Sequence, residues 1–473
     1  MRRRALSIRS LLLLVPVFTG VTVMAAVLTV DDHGPADFSS IQAAINAAIN
    51  TDEIVVKPGR YHETLSFLGK SITVRSEDGP QSTVVFLEGQ TRIVLLDGDS
   101  TLSGFTITGG QQRVGGGILV TGGANPVIAG NIIENNTAMW NSFTGFPGMG
   151  GAIAVESPSH PVITRNVIRG NRSLGDSMDL YGWGGSILIS DYASATITNN
   201  LIVESEAAQI GGSIYVGLSG AVTPVVITNN TILGSQAGGI APDTTSYGGG
   251  ISVFAGAQAT IQNNIIANSV VQYLGGGIYF FANNDNGINY SSNDFDNNQP
   301  QNCSGIPASK CDGGQFTFVP SFLDPLLANY RLRSDSELID RGVSGSQGSL
   351  DAEGRVRTVD SDLDGVATPD IGAFENQREL TRLRFADKDT LVWDPSRNAL
   401  MVFDVYRDAL SSLGPGNIGV CWKTSLAGTT TTDMELVPTS DGFFYLAVGR
   451  EQAVGSLGFG RDDTERIAFT PCP

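Results

Sequence analysis

The chain has 473 residues, too many for one ordinary compact core, so it must either divide into domains or build a repetitive core that grows along one axis. With 58 Gly, 41% apolar residues and only 16% charged residues it is too apolar for disorder. A formal net charge of −18 argues against nucleic acid and against anionic lipid as partners.

Arg2, Arg3, Arg4 and Arg9 precede an apolar run over residues 11–30 that contains the small residues Ala25 and Ala26. This pattern predicts an export signal over residues 1–25, the alternative being an uncleaved anchor, because the run is about long enough to span a bilayer. Cleavage removes four Arg and no acid, leaving 25 basic and 47 acidic residues, a net of −22. That charge also disfavours a polyanionic glycan unless calcium or a local Arg cluster bridges it. No later run would cross a membrane as a helix, so the cleaved chain is not expected to be an integral membrane protein; an extracellular glycan or a cell-surface component is the partner expected of an exported chain. In an exported chain the four Cys are expected in disulfides, Cys303 with Cys311 across a short loop and Cys421 with Cys472. A redox or metal role is the alternative, without any CxxC spacing to support it.

Residues 26–52 form an N-terminal cap region. Within it, residues 37–50 (DFSSIQAAINAAIN) place apolar side chains at 41, 44, 45 and 48, with Ser39 and Gln42 as a capping box, and predict a short amphipathic helix. Such a helix would close the open end of a repetitive β core, where strand edges are otherwise unpaired. Residues 53–107 supply irregular first coils.

A glycine-led strand is then written six times: residues 115–120 (GGGILV), 150–155 (GGAIAV), 184–189 (GGSILI), 211–216 (GGSIYV), 248–253 (GGGISV) and 275–280 (GGGIYF). A second strand follows each, marked by Asn131, Asn166, Asn200, Asn230, Asn264 and Asn293. From the repeated Ile to that Asn is 13 residues in four of the coils, and whole coils run from 27 to 37 residues, which suits three short strands and three turns. Period-two alternation turns Ile118 and Val120, and their equivalents, to one face, where residues of successive coils stack into ladders. The Asn is expected to accept a left-handed backbone at the turn and to bond to neighbouring coils. A phosphate cradle is excluded because these glycines precede strands and no Lys follows in the required place. The predicted class is all-β: a right-handed parallel β-helix over residues 53–340 with an N-terminal capping helix and a small C-terminal β-sandwich.

Through FSSIQAAINAA, IVVKPGRYHETL and the repeated ITNNxI segments, residues 37–375 resemble the pectate-lyase-like right-handed β-helix superfamily. The resemblance implies the fold strongly and an activity weakly, since members include polysaccharide lyases, glycoside hydrolases, pectin esterases, epimerases and adhesins. Residues 341–379 resemble the terminal module of surface-associated bacterial β-helix proteins. Here Asp360, Asp362 and Asp364 alternate before Gly365, with Asp370 beyond, a donor set suited to calcium; the alternative is a solvated acidic turn. Residues 380–473 resemble a fibronectin-type-III-like β-sandwich with Trp393 in its core and Tyr445 as a corner tyrosine.

Three His leave little room for a zinc site or a Ser-His-Asp triad. Tyr61 and Glu63 are read as structural. A lyase needs a base and a group to neutralise the uronate, and a glycosidase needs two facing carboxyls. Adjacent coils offer Glu134 beside Arg169, and Glu156 beside Asp191; Arg165, Arg169 and Arg172, with Asp176 and Asp179, make a polar candidate site. Surface salt bridging is the alternative reading of these pairs. The long return loops carry Trp140, Phe143 and Phe146, then Tyr181 and Trp183, then Tyr247, a row of rings suited either to the CH faces of a sugar chain or to packing on the sheet. Two functions follow: a secreted or cell-surface protein that binds or processes polysaccharide, as a lyase or glycoside hydrolase if it is an enzyme, or a non-catalytic adhesin-type structural protein.

Overall fold

The computed structural model describes residues 25–376 except 90, 140–146, 175–180, 218–223, 239–244, 282–286, 334, 346–347, 349, 360 and 362–365, and beyond 383 it describes short strands. The chain winds as a parallel β-helix. Each coil contributes one short strand to each of three long parallel sheets. Sheet 1 holds Ile118–Val120 and its equivalents in nine strands, sheet 2 holds Val127–Ala129 in ten, and sheet 3 holds Ile132–Glu134 in nine. A shorter sheet 4, with Thr137–Ala138 as its first strand, adds five two-residue strands before the return loops.

The repeated isoleucines set the register. Ile118 pairs with Ile153, Ile153 with Ile187, Ile187 with Ile214, and so on to Ile278, all with no exposed surface. Ile128, Ile163, Ile197, Ile227 and Ile261 form the matching column of sheet 2, and Ile133, Ile168, Ile202, Ile232 and Ile266 that of sheet 3. Three sheets thus face one continuous apolar interior. A one-residue slip would turn every column outward, so burial pins the register.

At the turn from sheet 2 to sheet 3 the repeated Asn is buried, and its amide links three coils. Asn200 shows the pattern: its N–H donates to Asn230 Oδ1 at 3.0 Å, its Nδ2 donates to Ile163 O at 2.8 Å and Thr198 O at 3.0 Å, and its Oδ1 accepts from Asn166 N at 2.9 Å. The left-handed backbone expected of this Asn belongs instead to the residue before it: Gly130, Arg165, Asn199, Asn229, Asn263 and Ser292 all have φ between 55° and 65°. That residue makes the bend, which frees the Asn to point inward and bond. Five positions after each ladder Asn stands a second buried polar column at the turn into sheet 4: Asn136, Asn171, Ser205, Ser235, Ser269 and Asn298. Space is tight where this column meets sheet 1: a Cβ on Gly117 would lie 2.8 Å from the Ala152 carbonyl oxygen and 3.1 Å from the Asn136 amide. Where the column has Ser205 or Ser235, there is room for Ser186 and Ser213, and the hydroxyls pair at 2.7 and 2.5 Å.

The helix begins earlier than expected. Val27–Val30 pairs in parallel with Glu53–Val56, so the last residues of the N-terminal apolar run are already a strand of sheet 2. The capping helix spans Ile41–Ala47, shorter than the predicted 37–50, and its N-cap is Ser40 rather than Ser39. Glu63 accepts from Ile41 N and Gln42 N at 2.9 Å, taking the place expected for the Gln42 side chain, which reaches Ser66 instead. Glu63 and Tyr61, whose hydroxyl donates to Lys57 O, are structural, as read from the sequence.

The last parallel strand is Cys303–Ser304, and one further parallel bridge joins Phe316 to Asp294, short of residue 340. The Cys303–Cys311 disulfide is formed, and Ile306 packs against the end of the core. The following segment folds back along the outside of sheet 3. There the outward residues of the upper coils are Leu201 and Val203, Leu233, Ile265 and Ala267, and Leu332, Leu338, Ile339 and Ile371 cover them. Backbone contacts fix the docking: Ala373 N donates to Thr231 Oγ1 at 2.9 Å, and Val343 N donates to Asn263 Oδ1 at 2.9 Å. Inside the segment the buried Arg357 donates to the carbonyls of Asp370, Gly372 and Ala373 and lies 3.4 Å from Glu375.

Beyond residue 383 the described strands are antiparallel. Val402–Ala409 pairs with both Val420–Leu426 and Phe443–Arg450, and Thr390–Val392 with Thr430–Thr432. Trp393, Cys472 and the side chains of Cys421 and Tyr445 lie outside the described residues, so the sandwich type and second disulfide stay as expectations. Among the described residues no helix is long and apolar enough to cross a membrane.

Candidate functional site

The three outer faces of the coil differ. Sheet 2 turns out Thr164, Thr198, Thr228, Thr260 and Gln262, a polar surface cross-linked by hydroxyls and amides. Sheet 3 is covered in its upper coils by the returning segment. Sheet 3 turns out one ring in its lowest coils, Phe86 with His62 beside it, whereas among the described residues sheet 1 turns out a series of them.

Alternation within its strands explains this face. Between the inward Ile and Val of each strand lies one outward residue, and down the sheet these read Leu95, Leu119, Ala154, Leu188, Tyr215, Ser252 and Tyr279. A second column is made where each return loop rejoins the sheet: Val114, Met149, Trp183, Ile210, Tyr247 and Leu274 are bridged in register. The two columns touch through their rings. Trp183 stacks on Tyr215 with centroids 5.5 Å apart and planes 25° from parallel, and Tyr247 lies 4.6 Å from Tyr279. Tyr273 and Phe281 close around Tyr247 at 5.5 and 5.2 Å, and Phe254 meets Phe281 at 5.5 Å. Lower down, Val114, Leu119 and Ala154 with Leu95 and Met149 continue the strip without rings.

Trp183 and Tyr247 therefore pack on the sheet, as one of the two readings of the loop rings expects, while part of the cluster stays open to solvent: Tyr273 is 52% and Phe254 39% exposed. Trp183 Nε1 donates to Gln209 Oε1 at 3.2 Å, which orients the indole plane along the column. Tyr181 is exposed beside it. Trp140, Phe143 and Phe146 lie outside the described residues. The sequence reading missed Tyr215 and Tyr279, although their place between the Ile and the last residue of GGSIYV and GGGIYF marks them as outward by period two.

A polar row borders the columns one residue beyond the strand ends. Asp97, Thr121, Glu156 and Ser190 follow one another there, Glu156 N donating to Val120 O and Ser190 N to Val155 O. Glu156 Oε2 accepts from Thr121 Oγ1 at 2.9 Å. Asp191 stands next to Ser190, where the absence of a side chain on Gly217 makes space for its carboxylate. Burial, with the negative charge of Asp191 added, pushes the Tyr215 hydroxyl well above its ordinary value, so this phenol is neutral at any physiological pH. Arg92, half-buried below, donates to the carbonyls of Val114 at 2.7 Å and Gly115 at 3.3 Å.

The remaining candidates fall elsewhere. Glu134 and Arg169 are register partners on sheet 3 and form an ion pair at 2.6 Å; Arg172 pairs with Glu206 at 2.8 Å on sheet 4. Arg165 occupies the left-handed turn before sheet 3, next to Gly354 of the returning segment. The structure thus groups Glu156 and Asp191 with the rings and separates Glu134, Arg165 and Arg169 from them. Asp176 and Asp179 are outside the described residues, as are Asp360, Asp362 and Asp364. Asp370 is buried, with its two carboxylate oxygens accepting from Asp340 N at 2.9 Å and Asn376 N at 2.6 Å. Burial, then the nearby Glu375 charge, pushes its carboxyl well above the usual range. Among the described residues no group of three or more His, Cys, Asp or Glu is arranged to hold a metal ion.

Residues 81–248 match a family model described as a right handed beta helix region, which agrees with the architecture and fixes its hand. No curated protein matches the sequence. Solved structures similar to this chain include pectate lyase Pel9A, at 17% identity over 75% of this chain and 97% of that one with a TM-score of 0.41. The pectin methylesterase from Aspergillus niger follows at 14% identity, covering 63% of this chain and 92% of its own, with a TM-score of 0.37. Pectin methylesterase PemA from Erwinia chrysanthemi shares 12% identity over 62% of this chain and 92% of its own, with a TM-score of 0.33.

Proposed function

We propose that this protein binds an extended polysaccharide along the outer face of sheet 1, outside the cell. The observation that carries the reading is the double column of rings, Trp183 on Tyr215 and Tyr247 on Tyr279, repeated along the axis of a rigid rod. Trp183 and Tyr247, two coils apart with Ile210 between them, offer apolar ring surface to the CH faces of a sugar chain, and a rigid sheet loses little conformational entropy when the chain docks. In this reading residues 1–25 direct export, and the Cys303–Cys311 disulfide belongs to an oxidising compartment. In this reading Glu156 and Asp191 are the carboxylates that would act on a bound chain.

The test is retention of the full chain in affinity gels containing a panel of polysaccharides, with parallel assays for new reducing ends and for the double bond left by a lyase. At least one polysaccharide should retard the protein. Trp183→Ala should weaken that retention about 30-fold, the effect of truncating a central aromatic anchor worth about 2 kcal/mol. Retention by none of the panel, or retention unchanged in both Trp183→Ala and Tyr247→Ala, defeats the proposal. Product formation lost in Glu156→Gln or Asp191→Asn would make the protein an enzyme; retention without product makes it a binding module.

A further inference from the structure

Resting on the glycan-binding reading, we infer that the ring columns take a glycan without negative charge and turn polyuronates away. From residue 173 to residue 309 the chain contains no Lys or Arg, yet it contains nine Asp and Glu. Every ring of the double column, from Trp183 through Tyr215, Tyr247 and Tyr279 to Phe281, lies within that stretch. Below it, Arg172 is engaged with Glu206, Arg169 with Glu134 and Arg92 with two backbone carbonyls, and Arg113 stands two coils beneath Trp183, next to Val114.

A uronate polymer laid over these coils would bring one carboxylate per sugar onto a surface without a cation to meet it. Asp191 and Glu156 would stand beside the chain at its lower end. Spacing between coils is about 4.8 Å and the screening length at physiological salt about 8 Å, so a carboxylate docked over the lower rings would feel the charges of Asp191 and Glu156. Burying the sugar face against the rings also strips water from any attached carboxylate, a cost unmatched here by a hydrogen-bonded partner of opposite sign. An uncharged chain meets the same rings without either penalty. Discrimination thus arises from repulsion of the wrong ligand as much as from attraction of the right one.

The experiment uses a matched pair, polygalacturonate and the same polymer after reduction of its carboxyls to primary alcohols, together with neutral glucan, mannan and xylan. Retention of the full chain is measured in chelator at low and at high salt. A neutral polymer of the set is expected to bind at least tenfold more tightly than polygalacturonate at low salt, and the gap is expected to shrink as salt rises. Glu156→Gln combined with Asp191→Asn should narrow it at low salt. Polygalacturonate bound as tightly as or more tightly than every neutral polymer in chelator overturns the charge inference while leaving glycan binding intact. Retention by no polymer overturns both.

Discussion

Replacing Asn200 by Ala removes one rung of the buried amide ladder and leaves the coils above and below in place. Two donors of Asn166, its backbone N–H and its Nδ2, lose the Asn200 Oδ1 they reach at 2.9 and 3.0 Å, and the carbonyls of Ile163 and Thr198 each lose a donor. At about 1–3 kcal/mol for each orphaned buried donor, the loss should come to about 4 kcal/mol. Asn297→Gly, which suits the left-handed backbone there (φ 50°), supplies the control. Its amide also bonds to a neighbouring coil, donating to Asn268 Oδ1 at 2.7 Å, but on the exposed surface, so its cost should stay within about 0.5 kcal/mol. Urea unfolding followed by far-ultraviolet circular dichroism measures both variants. Because each coil contacts only its neighbours, hydrogen exchange should localise the Asn200→Ala damage to the coils containing Asn166, Asn200 and Asn230. A cost below about 1 kcal/mol, or damage spread evenly along the rod, would refute the account of the ladder.

Further predictions concern the returning segment and the charged pairs. Asp294, an outward residue of sheet 3 buried by that segment, has its carboxyl pushed up to about 7 by burial, against about 3.9 in an unfolded chain. The folded state holds the proton more tightly, so this group's contribution to stability is greatest below about pH 4, falls as pH rises, and levels off above about 7. Asp294→Asn, which keeps an acceptor for Phe318 N, should flatten that part of the profile, as measured by Tm between pH 4 and 8. Arg357→Met leaves Glu375 buried opposite no charge and should cost about 3–5 kcal/mol; limited proteolysis should then release residues 313–376 from a surviving coil, and equal protection in variant and wild type would count against the docking role. Arg169→Ala breaks a half-exposed ion pair and should cost no more than about 1 kcal/mol by urea unfolding. Arg165 holds a left-handed backbone at φ 55°, and Arg165→Gly should gain about 0.5–1 kcal/mol by urea unfolding; a loss would show that the guanidinium supports the returning segment.

Much of this fold was legible because repetition multiplies weak signals. One GGxIxV segment is ambiguous, but six of them with Ile columns in register admit one architecture. The Asn ladder was legible as a turn marker, and its backbone role was misassigned by one residue. Side-chain capacity to adopt φ > 0 says that a bend is near, not which of two adjacent residues makes it. The second polar column, five residues further on in every coil, carried an equal signal in Asn136, Asn171 and Asn298 that the Ser members masked. Docking of the returning segment was harder to read, although Leu201, Val203 and Leu233 break the polar-outward pattern set by Glu134 and Arg169. At the candidate site, loop rings drew attention to the right corner. Their partners Tyr215 and Tyr279 looked like ordinary strand residues, and only the pairing register shows that they lie beneath Trp183 and Tyr247. Glu134 with Arg169 was placed correctly as a stacked pair, yet on a different sheet from the rings.

The most direct measurement of the central claim is hydroxyl-radical footprinting of the full chain, free and saturated with the polysaccharide that retains it best. Trp183, Tyr247, Tyr273 and Phe254 on sheet 1 should become protected, while Tyr330 and Phe322 of the returning segment should react as before. Protection confined to the returning segment, or to Tyr192 at the exposed turn beyond sheet 1, would contradict it.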